Sequence, residues 1–314
     1  MSASRVALVL TAALAGAGGL SASSSAHRLP AAPSCPVFPR DAAWNPRVDR
    51  LPVARDSATL VRSIGADAPA HPDFGSGLYD GGPIGIPYDV VGRRTPRTRV
   101  SFDYARESDR VPYPIPRGVH VEGGPRSTGD RHAILVDRDS CRLYELYALH
   151  RVGGDWHAGS GATWNLRSDH LRPRGWTSAD AAGLPILPGL ARADELRRPG
   201  GIDHALRFTA PRTRTAFVYP ARHEAGESND PRLPPMGLRI RLKRSVSLRG
   251  FGPQARTVMR ALQRYGAILA DNGAPLFFSG APDRRWSNDD LHGLTRLRGR
   301  DFEVVDTRRL PQPG

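Results

Sequence analysis

Twenty-nine prolines and 33 glycines are scattered through the 314 residues, and only residues 130–152 run for more than twenty positions without either. Proline fixes φ and has no amide proton, so it stops helices and stays out of central strands. Glycine serves turns that other residues enter only with strain. A chain punctuated in this way supports short strands and tight turns and leaves little room for long helices. The fold class expected is mainly β (α+β), with a β-sandwich or jelly-roll-like core, irregular Pro/Gly-rich loops and a few short helices. No internal boundary is visible, so residues 56–314 read as one β-rich globular domain. Residues 27–55 read as a Pro-rich segment tied to it through Phe38 and Trp44.

Local patterns place the elements. Arg131–Asp137 is apolar on both faces, Arg138-Asp139-Ser140 turns, and Cys141–Ala148 returns, which is a hairpin pattern. Val100–Tyr104, Trp156–Leu166, Ile202–Thr209, Ala216–Tyr219 and Phe302–Asp306 read as further strands. Ile268–Ala270 and Leu276–Ser279, joined through Asp271-Asn272-Gly273, read as a second hairpin. Thr177–Ala182 reads as a single capped turn. The best helix starts at Pro253, carries Val258, Leu262 and Tyr265 at helical spacing, and stops at Gly266. Shorter helices are expected over Ala58–Ile64 and after Asn288.

The N-terminus has the layout of a secretory signal peptide: Arg5, an apolar run from Val6 to Leu20, and the small-residue site Ser24-Ser25-Ala26. Residues 1–26 are therefore expected to be removed, and the protein to be secreted. No second run is apolar enough to span a membrane. Outside the cytosol, the two cysteines, Cys35 and Cys141, are expected to form one disulfide. The formal charge is +14, nearly all of it arginine, with Lys243 the only lysine. That skew fits the codon usage of a GC-rich genome, and the charges are not clustered. Nucleic acid is thus not an expected partner; a polysaccharide or an anionic cell-wall polymer suits an exported basic protein better.

No nucleophile elbow, phosphate-binding loop, zinc-protease motif or dinucleotide fingerprint occurs. No cofactor is expected and no metal site is assigned, although His132, His204 and His223 with an aspartate are a set able to bind a metal, which their spacing neither supports nor excludes. The candidates are instead polar groups among strand-like residues. Asp130 and His132 share a strand face with Ile134 and Val136, and Glu122 lies just upstream. His204 shares a face with Ile202, Leu206 and Phe208, while Arg207 lies on the other. If His132 and His204 met in one cleft they would be able to orient a carboxylate or abstract a proton. Asp180, Arg222 and His223 complete the polar set, and Trp176 is the favoured sugar platform among the exposed-looking aromatics. His71–Gly75 reads as an aromatic-anchored loop or the rim of a site.

Several segments carry a resemblance: Cys35–Pro39 with Trp44-Asn45, His71–Gly75, Gly129–His132, Trp176–Pro185, His204–Phe208 and Pro220–His223. Together they resemble an uncharacterised group of exported proteins from GC-rich soil bacteria and some fungi. The resemblance implies secretion and a single domain type. It brings no activity, and no catalytic residue is taken from it.

The expected function is a secreted carbohydrate-active protein. As a glycoside hydrolase it would use Glu122 and Asp180 as acid and base. As a polysaccharide lyase it would use His132 or His204 to take a proton and Arg207 or Arg222 to neutralise a uronate. The alternatives are a non-enzymatic extracellular binding or envelope protein, or a secreted hydrolase of another class, such as an esterase or a metal-dependent phosphodiesterase.

Overall fold

The computed structural model describes residues 27–310. The expected signal peptide lies outside the described residues. The fold is mainly β, with several sheets and, among the described residues, only three short α-helices. No helix among the described residues is long and apolar enough to cross a membrane.

Two sheets dominate. The larger has six strands in the order Phe302–Val304, Arg239–Leu242, Ala267–Asn272, Leu206–Ala210, Phe277–Ser279, His71–Asp73. The second has four, in the order Ser160–Asn165, Arg142–Tyr147, Ala133–Asp137, Tyr88–Val91. A small third sheet is formed by His150–Val152, Asp155–Ala158 and Val100–Phe102. The pairing is mixed: 206–210 runs parallel to 267–272, 277–279 parallel to 71–73, and 88–91 parallel to 133–137. Helix Pro253–Arg264 provides part of the crossover that parallel neighbours require. It buries Val258, Met259 and Leu262 in the main core, with Phe208, Ile240 and Leu269.

Most of the expected elements form. Ala133–Asp137 and Arg142–Tyr147 are an antiparallel pair, and Pro253 opens its helix. The hairpin expected around Asp271-Asn272-Gly273 does not form. Strand 206–210 lies between its two arms, pairing with 267–272 on one side and with Phe278 on the other. The turn residues are correct, but a distant strand provides the better apolar partner. Ala216–Tyr219 is not a strand; only Phe217 makes a bridge, to Met236. No helical turn forms over Thr177–Ala182.

Arg239–Leu242 is a strand the patterning missed, because its arginines conceal the alternation. Ile240 and Leu242 face the main core. Arg239 donates to the carbonyls of Ala43 and Pro46 at 2.9 and 3.0 Å, and Arg241 to those of Val48 and Leu51 at 2.6 and 2.8 Å. These bonds fasten the Pro-rich segment to the sheet. Phe38 and Trp44 are buried. The Cys35–Cys141 disulfide ties the same segment to the second sheet.

Candidate functional site

Strand 206–210 turns Phe208 into the apolar core and Arg207 the opposite way, toward a polar seam. The buried guanidinium binds Asp180 through both oxygens, at 2.7 Å each. It also donates to Ser279 Oγ at 2.7 Å and to Asp271 Oδ2 at 3.1 Å. Burial alone would lower the Arg207 pKa, but the Asp180 and Asp271 carboxylates raise it well above its usual value. Arg207 is a fixed cation with all three of its nitrogens hydrogen-bonded.

His132 forms the other half of the seam. Its Nδ1 lies 2.5 Å from Glu122 Oε2 and its Nε2 2.9 Å from the Ala179 carbonyl oxygen. A carbonyl only accepts, so Nε2 carries a proton. Burial opposes charge on the ring, but the Glu122 carboxylate outweighs it and raises the His132 pKa to about 9. Both nitrogens are therefore protonated at neutral pH. The ring has no lone pair for abstracting a proton or ligating a metal. Glu122 responds in kind: burial would raise its pKa, but His132 holds it below the usual range.

Two cavities open beside this seam. The first, of about 320 Å³, is lined by Tyr104, Glu107, Asp130, Tyr147, His223 and Asp271 among others. The second, of about 730 Å³, is lined by His71, Asp73, Tyr79, Glu122, Arg126 and Phe277 among others. Asp130 lines the first and Glu122 the second. These two carboxylates and His132 each place a ligand-type atom within 4.8 Å of the other two. That spacing would suit a cation, and the imidazolium of His132 already provides one.

The first cavity holds a carboxyl group with a raised pKa. Asp271 is 21% exposed, toward the cavity. Burial and then the Asp180 charge push its pKa up to about 7, against the pull of Arg207. Asp130, exposed, lies on the same cavity. In the second cavity, burial and then the Glu122 charge raise the Asp73 pKa, while burial lowers that of His71.

The predicted residues divide between this site and other places. Glu122, Asp130 and His223 line a cavity. His223 Nδ1 lies 2.8 Å from the Ala181 carbonyl, and its Nε2 faces Glu107. His132 and Arg207 lie directly beneath. Asp180, expected as acid or base, lines neither cavity: it is fully buried and both oxygens are held by Arg207. His204 does not meet His132. Its Nε2 is 3.1 Å from Glu195 Oε1 and its Nδ1 2.8 Å from the Ala205 carbonyl, within a separate buried network that includes Arg192. Arg222 is absent from both cavity linings and donates from Nε to the Arg172 carbonyl at 2.8 Å. Trp176 is not a platform in either cavity; the Arg172 guanidinium lies 5.5 Å from its ring centroid.

Asp271, Asp73, Tyr104 and Tyr79 were not singled out individually from sequence. Asp271 looked like a turn residue, and only the insertion of strand 206–210 beside it brings Arg207 within reach. His71–Gly75, read as a loop or a rim, contributes His71, Asp73 and Phe74 to the second cavity.

The chain matches no protein-family model, and no curated protein or solved structure matches it.

Proposed function

We propose that the protein is an exported glycoside hydrolase that cuts a neutral polysaccharide, with Asp271 as general acid and Asp130 as base or nucleophile. The observation that carries this reading is the Asp271 carboxyl, raised to about 7 on the wall of a cavity it shares with Asp130. Glycoside hydrolysis uses two carboxyl groups at one site, and a raised pKa suits the one that gives up its proton. Asp271 would give its proton to the glycosidic oxygen as the anomeric C–O bond breaks. The oxygen of water would finish on the anomeric carbon, and its remaining proton would return to the carboxylate pair. The exposed Tyr104 offers a flat apolar face for a sugar ring.

The charge of the linings supports a neutral substrate. Glu107, Asp130 and Asp271 line the first cavity with no arginine or lysine. Asp73, Asp80 and Glu122 outnumber Arg126 in the second. A uronate or an anionic wall polymer would meet like charge there, although the protein as a whole carries +14. The lyase alternative is disfavoured on the same ground: Arg207 is occupied by Asp180 and Asp271, Arg222 lies elsewhere, and His132 has no lone pair. Export is supported by the leader pattern and by the disulfide.

The test is release of reducing ends from neutral glucans, xylans, mannans and chitin by the purified protein, with Asp271→Asn and Asp130→Asn alongside. Turnover by the parent and its loss in both folded variants is the expected result. No turnover on any of these polymers, with the disulfide intact, would overturn the reading and favour a binding protein.

A further inference from the structure

The second cavity is larger than the first and holds the most exposed aromatic side chain of the described residues: Tyr79 is 79% exposed. Its presentation is built into the backbone. Leu78-Tyr79 pairs with Gly82-Pro83 across the turn Asp80-Gly81. Both turn residues have positive φ, 49° and 80°. That is the signature of a type I′ hairpin, which holds its strands in a fixed twist. The hairpin is seated on the loop that carries Glu122. A Cβ at Gly82 would lie 2.0 Å from the Gly123 carbonyl oxygen, so the two backbones touch where only glycine fits. The hairpin that carries Tyr79 is thus anchored on the residue next to Glu122. Phe277, stacked on His71 with centroids 4.1 Å apart, adds a second half-buried ring to the lining.

We propose that the cavity beneath Tyr79 is the second arm of a single glycan-binding cleft, so that a polysaccharide lies across both cavities and is cut within the chain. The proposal rests on the hydrolase reading for the cut, and on the second cavity for the binding. A volume of about 730 Å³ is ample for a small-molecule ligand. Glu122 lines the second cavity and Asp130 the first, and their carboxylate oxygens lie within 4.8 Å of one another. Each cavity has its own exposed tyrosine, Tyr104 in the first and Tyr79 in the second. A chain bound across the carboxylates therefore finds an aromatic face on either side. An enzyme that removes end units needs only one such arm.

Two measurements test this. On a soluble neutral polysaccharide that the protein cuts, viscosity is followed against reducing ends. Internal cutting makes viscosity collapse while few ends have appeared. Tyr79→Ala is expected to raise KM on the polymer about tenfold, the loss of one stacked ring, and to shift the sizes of the products. A slow, proportionate fall in viscosity, or a Tyr79→Ala variant with the parent's KM and product sizes, would overturn the proposal and leave the hydrolase reading standing. The second measurement needs no turnover. Asp130→Asn is titrated with ladders of cello-, xylo-, manno- and chito-oligosaccharides. Affinity is expected to rise with length, and Tyr79→Ala in that background to remove the rise. If that pattern appears in a protein that cuts nothing, the cleft stands and the hydrolase reading falls. Affinity independent of length, or no binding at all, overturns the cleft.

Discussion

The protein buries two networks of arginine, histidine and carboxylate, and they have opposite characters. One sets Arg207, paired with Asp180 and Asp271, close enough to the His132–Glu122 pair for their charges to act on one another. The other joins Arg192, Glu195 and His204, with Asp194 and Arg198 at its edge. The second is closed. Glu195 is fully buried and fully paired; burial would raise its pKa, but Arg192 and then His204 bring it down to about 2. The first network opens on two cavities, and at its open edge Asp271 is raised rather than lowered. Residue composition does not separate the two. What separates them is whether a carboxyl is left under-neutralised at a surface a ligand can reach.

The sharpest way to break this comparison is Asp271→Asn. Removing a general acid is expected to lower kcat by about 10²–10⁴-fold with the fold intact. In the parent, activity should fall as pH rises through about 7, because the acid must be protonated to act. An unchanged rate in Asp271→Asn, or activity that persists undiminished well above that pH, would remove Asp271 from the mechanism.

Glu195→Gln tests the closed network. It leaves the buried Arg192 guanidinium without its principal counter-charge, which is expected to cost about 3–5 kcal/mol of stability, read by urea denaturation. A loss below about 1 kcal/mol, the range of an exposed pair, would mean that the network is more hydrated than its burial indicates.

Replacing both Cys35 and Cys141 by serine is expected to cost about 2–4 kcal/mol. The comparison is sharpened by following each network in this variant. The disulfide ties residues 27–55 to the second sheet, and His27 of that segment lies 3.0 Å from Asp203 beside the closed network. Amide exchange should therefore quicken around His204 more than around Arg207. Equal quickening at both would show that the segment does not stabilise the closed network in particular.

The smallest effect is a difference in pH dependence. His132 is held protonated in the fold, at about 9 against an ordinary 6.5. Its contribution to stability is full below about pH 6.5 and is lost as pH rises through about 9. Glu195 is held ionised, at about 2 against 4.5, so its contribution is full above about pH 4.5 and is lost as pH falls through about 2. His132→Gln should flatten the alkaline side of the stability curve and Glu195→Gln the acid side. The reverse assignment, or no change in slope, would contradict the protonation states described above.

Local sequence carried much of the fold. Glycine and proline spacing, the 133–147 hairpin and the Pro253 helix are short-range features, and their physics is contained in a few neighbouring residues. Glu122, Asp130 and His132 were legible for the same reason: ten residues separate Glu122 from His132, and one short loop brings them together. Asp271 was not legible. Its turn Asp-Asn-Gly signals a hairpin, and only strand 206–210, some sixty residues earlier in the chain and inserted between the expected arms, turns it into a wall of the cavity. His204 and His132 looked alike in sequence because alternation reports which face a side chain takes and is silent on what packs against that face.

The sequence alone determined the mainly β character, the single pair of cysteines and the local turns, because backbone geometry and covalent chemistry act within reach of each residue. Only the tertiary structure decided which carboxyl is raised and which is neutralised. Electrostatic energy depends on distance and on exclusion of water, and both are set by strands that meet from far apart in the chain.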